Sequence, residues 1–424
     1  MNSNLRSVLI SIALCGFIIF GYIQRENLIL GVVSPFKFHM KYDAENFFVH
    51  DPFQNKSCNA MSGNGHAIQI ETTLQNNSKS LKLLPITPSE FSNSLDQKNE
   101  TFRCPNDNVD NWNFTCTVQC ANEPPISGYE DRIQIYIDCT KPKPVARFIK
   151  VKTSNAIQTL PENSECLSDY VQQNCYDGNP VPNLAHYMWF SKRKMNFYHL
   201  LSFLSASKFL KPCLILIHGD FKPHGVYWQY LLTRVPNIIH VYRNPPEMVF
   251  GIPLANNEHK ADIGRIEALQ LFGGIYIDTD EIILKSLDNL RAFPFTLSHA
   301  VDYNLSNGLI VSKKNATFLN LWLSQYKTYD GKQWAYHSTI VPFQLSKKYP
   351  RLIHVENKTF VRPNFTQLPL LFKMNFNWSK NYAIHLYIRY YKPEHNMHDI
   401  RYLNTTIGSV ARHVIYDSKD LCEN

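Results

Sequence analysis

The segment Phe272-Gly273-Gly274-Ile275-Tyr276-Ile277-Asp278-Thr279-Asp280-Glu281 constrains this chain more than any other. Upstream, Ile263, Ile266, Leu269 and Phe272 recur at intervals of three and mark one apolar helical stripe. The glycine pair supplies the backbone freedom that ends a helix. A strand over 275–280 is expected next, and its period of two puts Tyr276, Asp278 and Asp280 on one face. Both carboxylates then reach one cation at the carboxyl end of a strand, where open α/β sheets bind ligands. Paired hard oxygens suit Mn²⁺ or Mg²⁺, which take phosphate oxygens as further ligands. Taken alone, an Asp-x-Asp pair also suits a solvated turn.

The context narrows this. Ala261-Asp262-Ile263-Gly264-Arg265, a seven-residue spacer, the glycine pair and the tetrad resemble the α-1,4-galactosyltransferase and α-1,4-N-acetylglucosaminyltransferase family, whose sugar-binding region carries a DxD motif. Residues 181–190 and 216–220 are similar to the family's first two nucleotide-side strands, 306–313 to its asparagine-glycine segment, 334–338 to its aromatic segment and 383–386 to its late histidine strand. The resemblance covers about residues 180–390. One departure is Gly264, which weakens a helix by roughly 1 kcal/mol relative to alanine and puts the local geometry in doubt.

The resemblance implies an α/β, GT-A-like mixed sheet and a retaining transfer of a hexose or N-acetylhexosamine. The donor is a nucleotide sugar, UDP-linked, and the acceptor a glycan hydroxyl on a glycolipid or glycoprotein. Asp278 and Asp280 become metal and diphosphate ligands, with His385 as a third, nitrogen ligand; a hydrogen-bonded core histidine is the plainer reading of His385. Asp262 and Arg265 become donor contacts, where a local ion pair is the alternative. Tyr187 and Trp189 are candidates for stacking on uracil or for the core. Asn307 and Gly308 suit a loop that lies close to a ligand, while Trp334 and His337 contact the acceptor or simply pack. Glu281 reads as a solvated or supporting carboxylate, with a base as the alternative. The rival for the whole chain is a catalytically degenerate, metal-dependent sugar-binding protein on the same scaffold.

The chain's 424 residues are 44% hydrophobic and 13% aromatic, enough for a substantial core. Residues 7–23 are uncharged and apolar, near the short limit for a spanning helix. A signal anchor is expected there, behind a cytosolic tail over 1–6, in place of a cleaved signal peptide. The rest then lies in the lumen as a single-pass type II Golgi membrane protein. Asn-x-Ser/Thr acceptors at Asn55, Asn76, Asn99, Asn113, Asn304, Asn315, Asn357, Asn364, Asn377 and Asn404 agree with a luminal body. Nine cysteines follow the apolar run, seven of them before residue 180, which argues for structural disulfides and leaves one thiol free or paired between chains.

Alternation over 132–138 and 146–152 suggests half-buried strands. Residues 24–178 therefore read as a β-rich, disulfide-linked module or as a stem, with a turn-rich boundary before a catalytic domain over 179–424. The net charge of +8 comes without a long basic run or stacking motif, so nucleic acid is excluded as a partner. A modest positive field suits an anionic sugar nucleotide. Gly63-Asn64-Gly65 lacks the third glycine of a dinucleotide fingerprint and reads as a turn.

Overall fold

The computed structural model describes residues 118–120, 132–151 and 157–423 in full, and by backbone alone Thr117 and the strands before residue 86. It divides into two compact units, Met1–Arg103 and Cys104–Asn424. In the first, Ile12–Leu14, Phe17–Gln24, Asn27–Val32 and Lys37–Met40 form one antiparallel sheet, and Cys58–Met61, Ala67–Gln75 and Ser78–Pro85 a second. The tail expected over 1–6 lies outside the described residues, and the anchor expected over 7–23 does so in part, its described part being strand. Among the described residues no helix is long and apolar enough to cross a membrane. The structure therefore gives the anchor no support.

The second unit is built on a mixed sheet, in line with the expected α/β class. Its strands are β1 (Thr159–Pro161), β2 (Leu184–Met188), β3 (Leu214–Gly219), β4 (Ile238–Tyr242), β5 (Gly274–Ile277), β7 (Phe295–Val301), β8 (Asn304–Ser312) and β9 (His354–Glu356). They lie in the order β1-β4-β3-β2-β5-β8-β7-β9. From β1 to β5 all neighbours are parallel, then β8 turns antiparallel on β5. Every residue of β2, β3 and β5 is buried, as expected of strands covered on both faces. A separate pair, β6 (Glu281–Ile283) with β10 (Ala383–His385), runs antiparallel beside the end of β5.

Helix α1 (Asn257–Phe272) leads into β5. The side chain of Asn256 caps it by accepting from the His259 N–H, and Ile263, Ile266, Leu269 and Phe272 are all buried, so the stripe read from spacing is the packed face. Its end needs both glycines: Gly273 and Gly274 have φ of 68° and 114°, and an added Cβ would come within 2.5 Å of Lys314 N and Leu184 O respectively. His186 Nε2 lies 2.7 Å from the Gly273 carbonyl, which can only accept, so this buried ring donates there and pins the turn. Gly264 is explained by packing. A Cβ there would meet Met188 Sδ at 3.1 Å and the Phe190 ring at 3.3 Å, so glycine lets α1 lie close on β2.

The boundary expected at 178 is not where the chain divides. The strands Arg132–Asp138 and Val145–Val151 pair as a hairpin, and Ile135 and Ile137 share one core with Leu184, Leu214, Leu216 and Phe272. Gln134 donates to the carbonyls of Leu232 and Val235. Disulfides join Cys120 to Cys422, Cys139 to Cys166 and Cys175 to Cys213. The first and third tie residues before 178 to residues after it. The disulfide reading stands, therefore, and the described residues from 132 to 178 share their core with the strands that follow. Cys58, Cys104 and Cys116 lie where no side chain is described.

This predicts that a fragment starting at 179 is unfolded by circular dichroism, whereas one starting at 104 melts cooperatively. Replacing Cys175 and Cys213 by serine in the longer fragment opens a closure spanning 38 residues and should cost about 2–4 kcal/mol in denaturant unfolding.

Candidate metal centre

Strand β5 ends at Ile277, three residues short of the expected strand over 275–280. Asp278, Thr279 and Asp280 form a turn closed by the Glu281 N–H on the Asp278 carbonyl at 2.9 Å. The two aspartates thus meet by chain reversal and not by sharing a strand face. Only Tyr276 and Asp278 keep the expected same-face relation, with Tyr276 OH donating to Asp278 Oδ1 at 2.6 Å. Strand β10 then brings His385 opposite Glu281 in register.

Each aspartate has one oxygen held by the protein and another turned toward His385. Asp278 Oδ1 takes the Tyr276 hydroxyl and Arg265 Nη1 at 3.3 Å, while its Oδ2 lies 4.0 Å from His385 Nε2. Asp280 Oδ2 accepts from the Ile388 N–H at 3.0 Å, and its Oδ1 lies 3.2 Å from the same nitrogen. One ligand atom from each of Asp278, Asp280 and His385 can be chosen so that all lie within 4.8 Å of one another. Two carboxylate oxygens and one imidazole nitrogen fit a small divalent cation, and the nitrogen favours Mn²⁺ over the oxygen-seeking Mg²⁺.

Gly308 is needed beside this trio for space. It sits in β8, not in the loop expected for it, and a Cβ there would lie 2.9 Å from Glu281 Oε2 and 3.1 Å from Asp278 Oδ2 and His385 Nδ1. Asn307, the residue before, donates from Nδ2 to Asp262 Oδ1 at 2.7 Å, and its carbonyl accepts from Arg265 Nη1 at 2.7 Å. Asp262 and Arg265 are themselves 3.3 Å apart. The local ion pair therefore exists, but it is extended: Arg265 also reaches Asp278 and lies over the Tyr276 ring, 4.4 Å from its centroid. Together these residues brace the first aspartate.

The electrostatics follow from burial. Burial pushes the Asp262 carboxyl up to about 6 despite Arg265. It pushes Glu281 well above the usual carboxylate range, since that side chain is 0% exposed and neither oxygen has a hydrogen-bond partner. Of the readings given for Glu281, burial rules out the solvated one and leaves a supporting carboxylate or a base. For His385, burial works toward a lower value but loses to Asp280 and Glu281, which hold the imidazolium up to about 9. Asp280 is held well below its ordinary value because His385 and the Ile388 N–H outweigh its own burial. Without metal, a protonated His385 supplies the positive charge between the carboxylates.

The proposed uracil platform is not present. Trp189 is 0% exposed in the main core, and Tyr187 stacks on Phe203 at 3.8 Å with its hydroxyl 3.2 Å from Ser202. His337 is buried among Tyr326, Tyr329 and Tyr336. Trp334, in contrast, is 44% exposed, and Arg389 lies 5.1 Å from the centroids of both Trp334 and Tyr390. Arg389 follows Ile388, whose N–H holds Asp280, so this exposed aromatic platform borders the trio. Alternation put Tyr276 on the face of Asp278, and its hydroxyl does reach that carboxylate. Spacing gave no signal for Ile388 or Arg389, whose roles come from the chain after β10.

Comparison with known proteins agrees with this geometry. Residues 213–295 match the glycosyltransferase sugar-binding region containing DXD motif. Over 196 residues the chain is 34% identical to glucan organizing enzyme 1 of Cryptococcus neoformans, which covers 42% of this chain and 53% of that protein. Over 110 residues it is 33% identical to lactosylceramide 4-alpha-galactosyltransferase of Mus musculus, covering 26% and 30% respectively. The chain thus spans about half the length of the first relative and under a third of the second. Among solved structures, the PaToxG glycosyltransferase is similar at 20% identity and a TM-score of 0.31, over 43% of this chain and 75% of that one. The galactosyltransferase LgtC, solved with donor and acceptor sugar analogs, is similar at 13% identity and a TM-score of 0.26, over 42% and 74%. Residues 213–295, which hold Asp278, Thr279 and Asp280, thus match a DXD-containing glycosyltransferase sugar-binding region, and over part of its length this chain is a homologue of the glucan organizing enzyme and of the lactosylceramide galactosyltransferase.

Proposed function

We propose that this protein is a divalent-metal-dependent glycosyltransferase. It moves a hexose or N-acetylhexosamine, with retention, from a UDP-linked sugar to a glycan hydroxyl on a glycolipid or glycoprotein. The observation that carries the reading is the convergence of His385 with Asp278 and Asp280 beside the end of β5, the two aspartates lying within the matched sugar-binding region. A bound Mn²⁺ supplies positive charge against the diphosphate that departs with the nucleotide. Tyr276 and Arg265 fix Asp278, and the Ile388 N–H fixes Asp280, so neither ligand reorganises when the donor binds. Trp334, Arg389 and Tyr390 offer the acceptor sugar an exposed aromatic face bordering that centre.

Three disulfides support residence in an oxidising compartment, the lumen of the secretory route, with the Golgi as the natural site of such a reaction. Of the possible glycosylation sites, Asn304 and Asn364 are buried, and their side chains already bond to residues 301 and 300, while Asn315, Asn357 and Asn404 are exposed.

The test is UDP release from a panel of UDP-sugars with Mn²⁺, with and without glycan acceptors. Asp278→Ala and Asp280→Ala should each lower turnover by about two to four decades, since several kcal/mol of charge stabilisation disappear and each 1.36 kcal/mol is about tenfold. Trp334→Ala should raise the acceptor KM about tenfold and leave donor KM unchanged. Activity that survives chelation together with an active Asp280→Ala contradicts the proposal.

Metal binding should also be linked to protons. His385 is raised to about 9 in the metal-free fold, so it is protonated at neutral pH and must lose that proton to ligate. Apparent Mn²⁺ affinity should therefore climb as pH rises, by about tenfold per unit for one proton, and level off near pH 9. In the metal-free protein the sign is opposite. The charged histidine's stabilisation is complete below its unfolded pKa of about 6.5 and is lost as pH rises through about 9. Calorimetry in two buffers of different ionisation enthalpy checks the proton release, and a buffer-independent heat would contradict it.

A further inference from the structure

Glu281 is the one carboxylate of the cluster to which the reaction proposed above gives no task. It is fully buried, and neither of its oxygens has a hydrogen-bond partner among the described residues. A carboxylate placed so without purpose costs stability. Its Oε2 faces His385 Nδ1 at 3.4 Å, and that nitrogen too has no other partner. The opposite ring nitrogen, Nε2, is the one that faces Asp278 and Asp280.

The surroundings hold this relation in place. Glu281 and His385 are directly opposed in the antiparallel pair β6 and β10. Ser202 Oγ donates to the Glu281 carbonyl at 2.7 Å, and the Tyr387 ring stacks on the imidazole at 4.1 Å. Gly308 closes the remaining side, with no room for a side chain between β8 and the carboxylate.

We infer that Glu281 is a positioning residue: it accepts from His385 Nδ1–H, which fixes the ring plane and the tautomer and leaves Nε2 as the atom offered to the cation. Metal-bound histidines generally have such a partner on their far nitrogen, and its loss commonly weakens metal affinity 10–100-fold. Glu281 does not ligate the ion itself, since its near oxygen lies against the nitrogen that points away from the aspartates. The inference rests on the metal centre proposed above.

The test reads metal binding and histidine state, not turnover. Unbound Mn²⁺ is measured by electron paramagnetic resonance for the full chain and for Asp280→Ala, Glu281→Gln and Glu281→Leu. Glutamine keeps an acceptor and should bind within about threefold of wild type, while leucine should bind about 10–100-fold more weakly. Circular dichroism of metal-free Glu281→Leu should show the wild-type fold, so that its weaker binding is not a loss of structure. Should leucine fail to fold, Glu281→Met keeps the side-chain length and replaces it. In wild type with Mg²⁺, ¹⁵N resonances of His385, assigned by their loss in His385→Gln, should show the proton on Nδ1. Unchanged affinity in the leucine variant, equal losses in the glutamine and leucine variants, or a proton on Nε2 would each overturn the inference. If Asp280→Ala also binds Mn²⁺ like wild type, the metal centre itself is wrong. If only Asp280→Ala weakens binding, the centre stands and the role of Glu281 falls.

Discussion

Four carboxylates, those of Asp262, Asp278, Asp280 and Glu281, meet at the end of β5 against the positive charge of Arg265 and His385. Burying that much like charge is costly unless it is compensated. Arg265 serves Asp262 and Asp278 on one side, and His385 serves Asp280 and Glu281 on the other. Carboxylate oxygens of Asp278 and Asp280 face the space beside His385, where a divalent cation would lower the cost of holding the cluster together. The neighbouring fold can be understood as the framework that keeps these groups in place.

That framework depends on close backbone approach. Gly273 and Gly274 let α1 turn into β5 with no side chain between the turn, β2 and the chain after β8. His186, donating to the Gly273 carbonyl, fixes the same turn from within the sheet. Gly308 brings β8 against the carboxylates and hands its carbonyl to the Asp278 N–H at 2.7 Å. The parallel strands β2 to β5 set the position of the first aspartate, and the pairing of β6 with β10 sets the position of the histidine. A site built from segments so distant in sequence is only as precise as the sheet that carries it.

What sequence could reveal followed from local rules. The stripe on α1, the glycine pair, the buried strands and the acidic motif are all periodic or compositional, and they lie where they were read. His385 was reached through its likeness to a family segment, since a histidine between Ile384 and Leu386 has no local mark of a ligand. The errors are nonlocal. Alternation could not show that Asp278 to Asp280 is a turn, because that depends on the Asp278 carbonyl accepting from Glu281. Tyr187 sits on a strand buried on both faces and Trp189 directly follows it, so of the two alternatives read for these rings the core is the one the structure shows. The boundary at 178 followed a real cluster of turn residues, but Cys175–Cys213 and the shared apolar core cross it. For Glu281 the sequence left a solvated and a supporting role open, and the pairing of β6 with β10 decides against the first.

The central claim is that Asp278, Asp280 and His385 hold one cation. Its most direct test is anomalous scattering from crystals of the second unit, residues 104–424, soaked with Mn²⁺ and UDP. The account predicts one manganese peak at coordination distance, roughly 2.0–2.4 Å, from an oxygen of each aspartate and from His385 Nε2. A peak elsewhere with the trio empty, or none at saturating Mn²⁺, would contradict it.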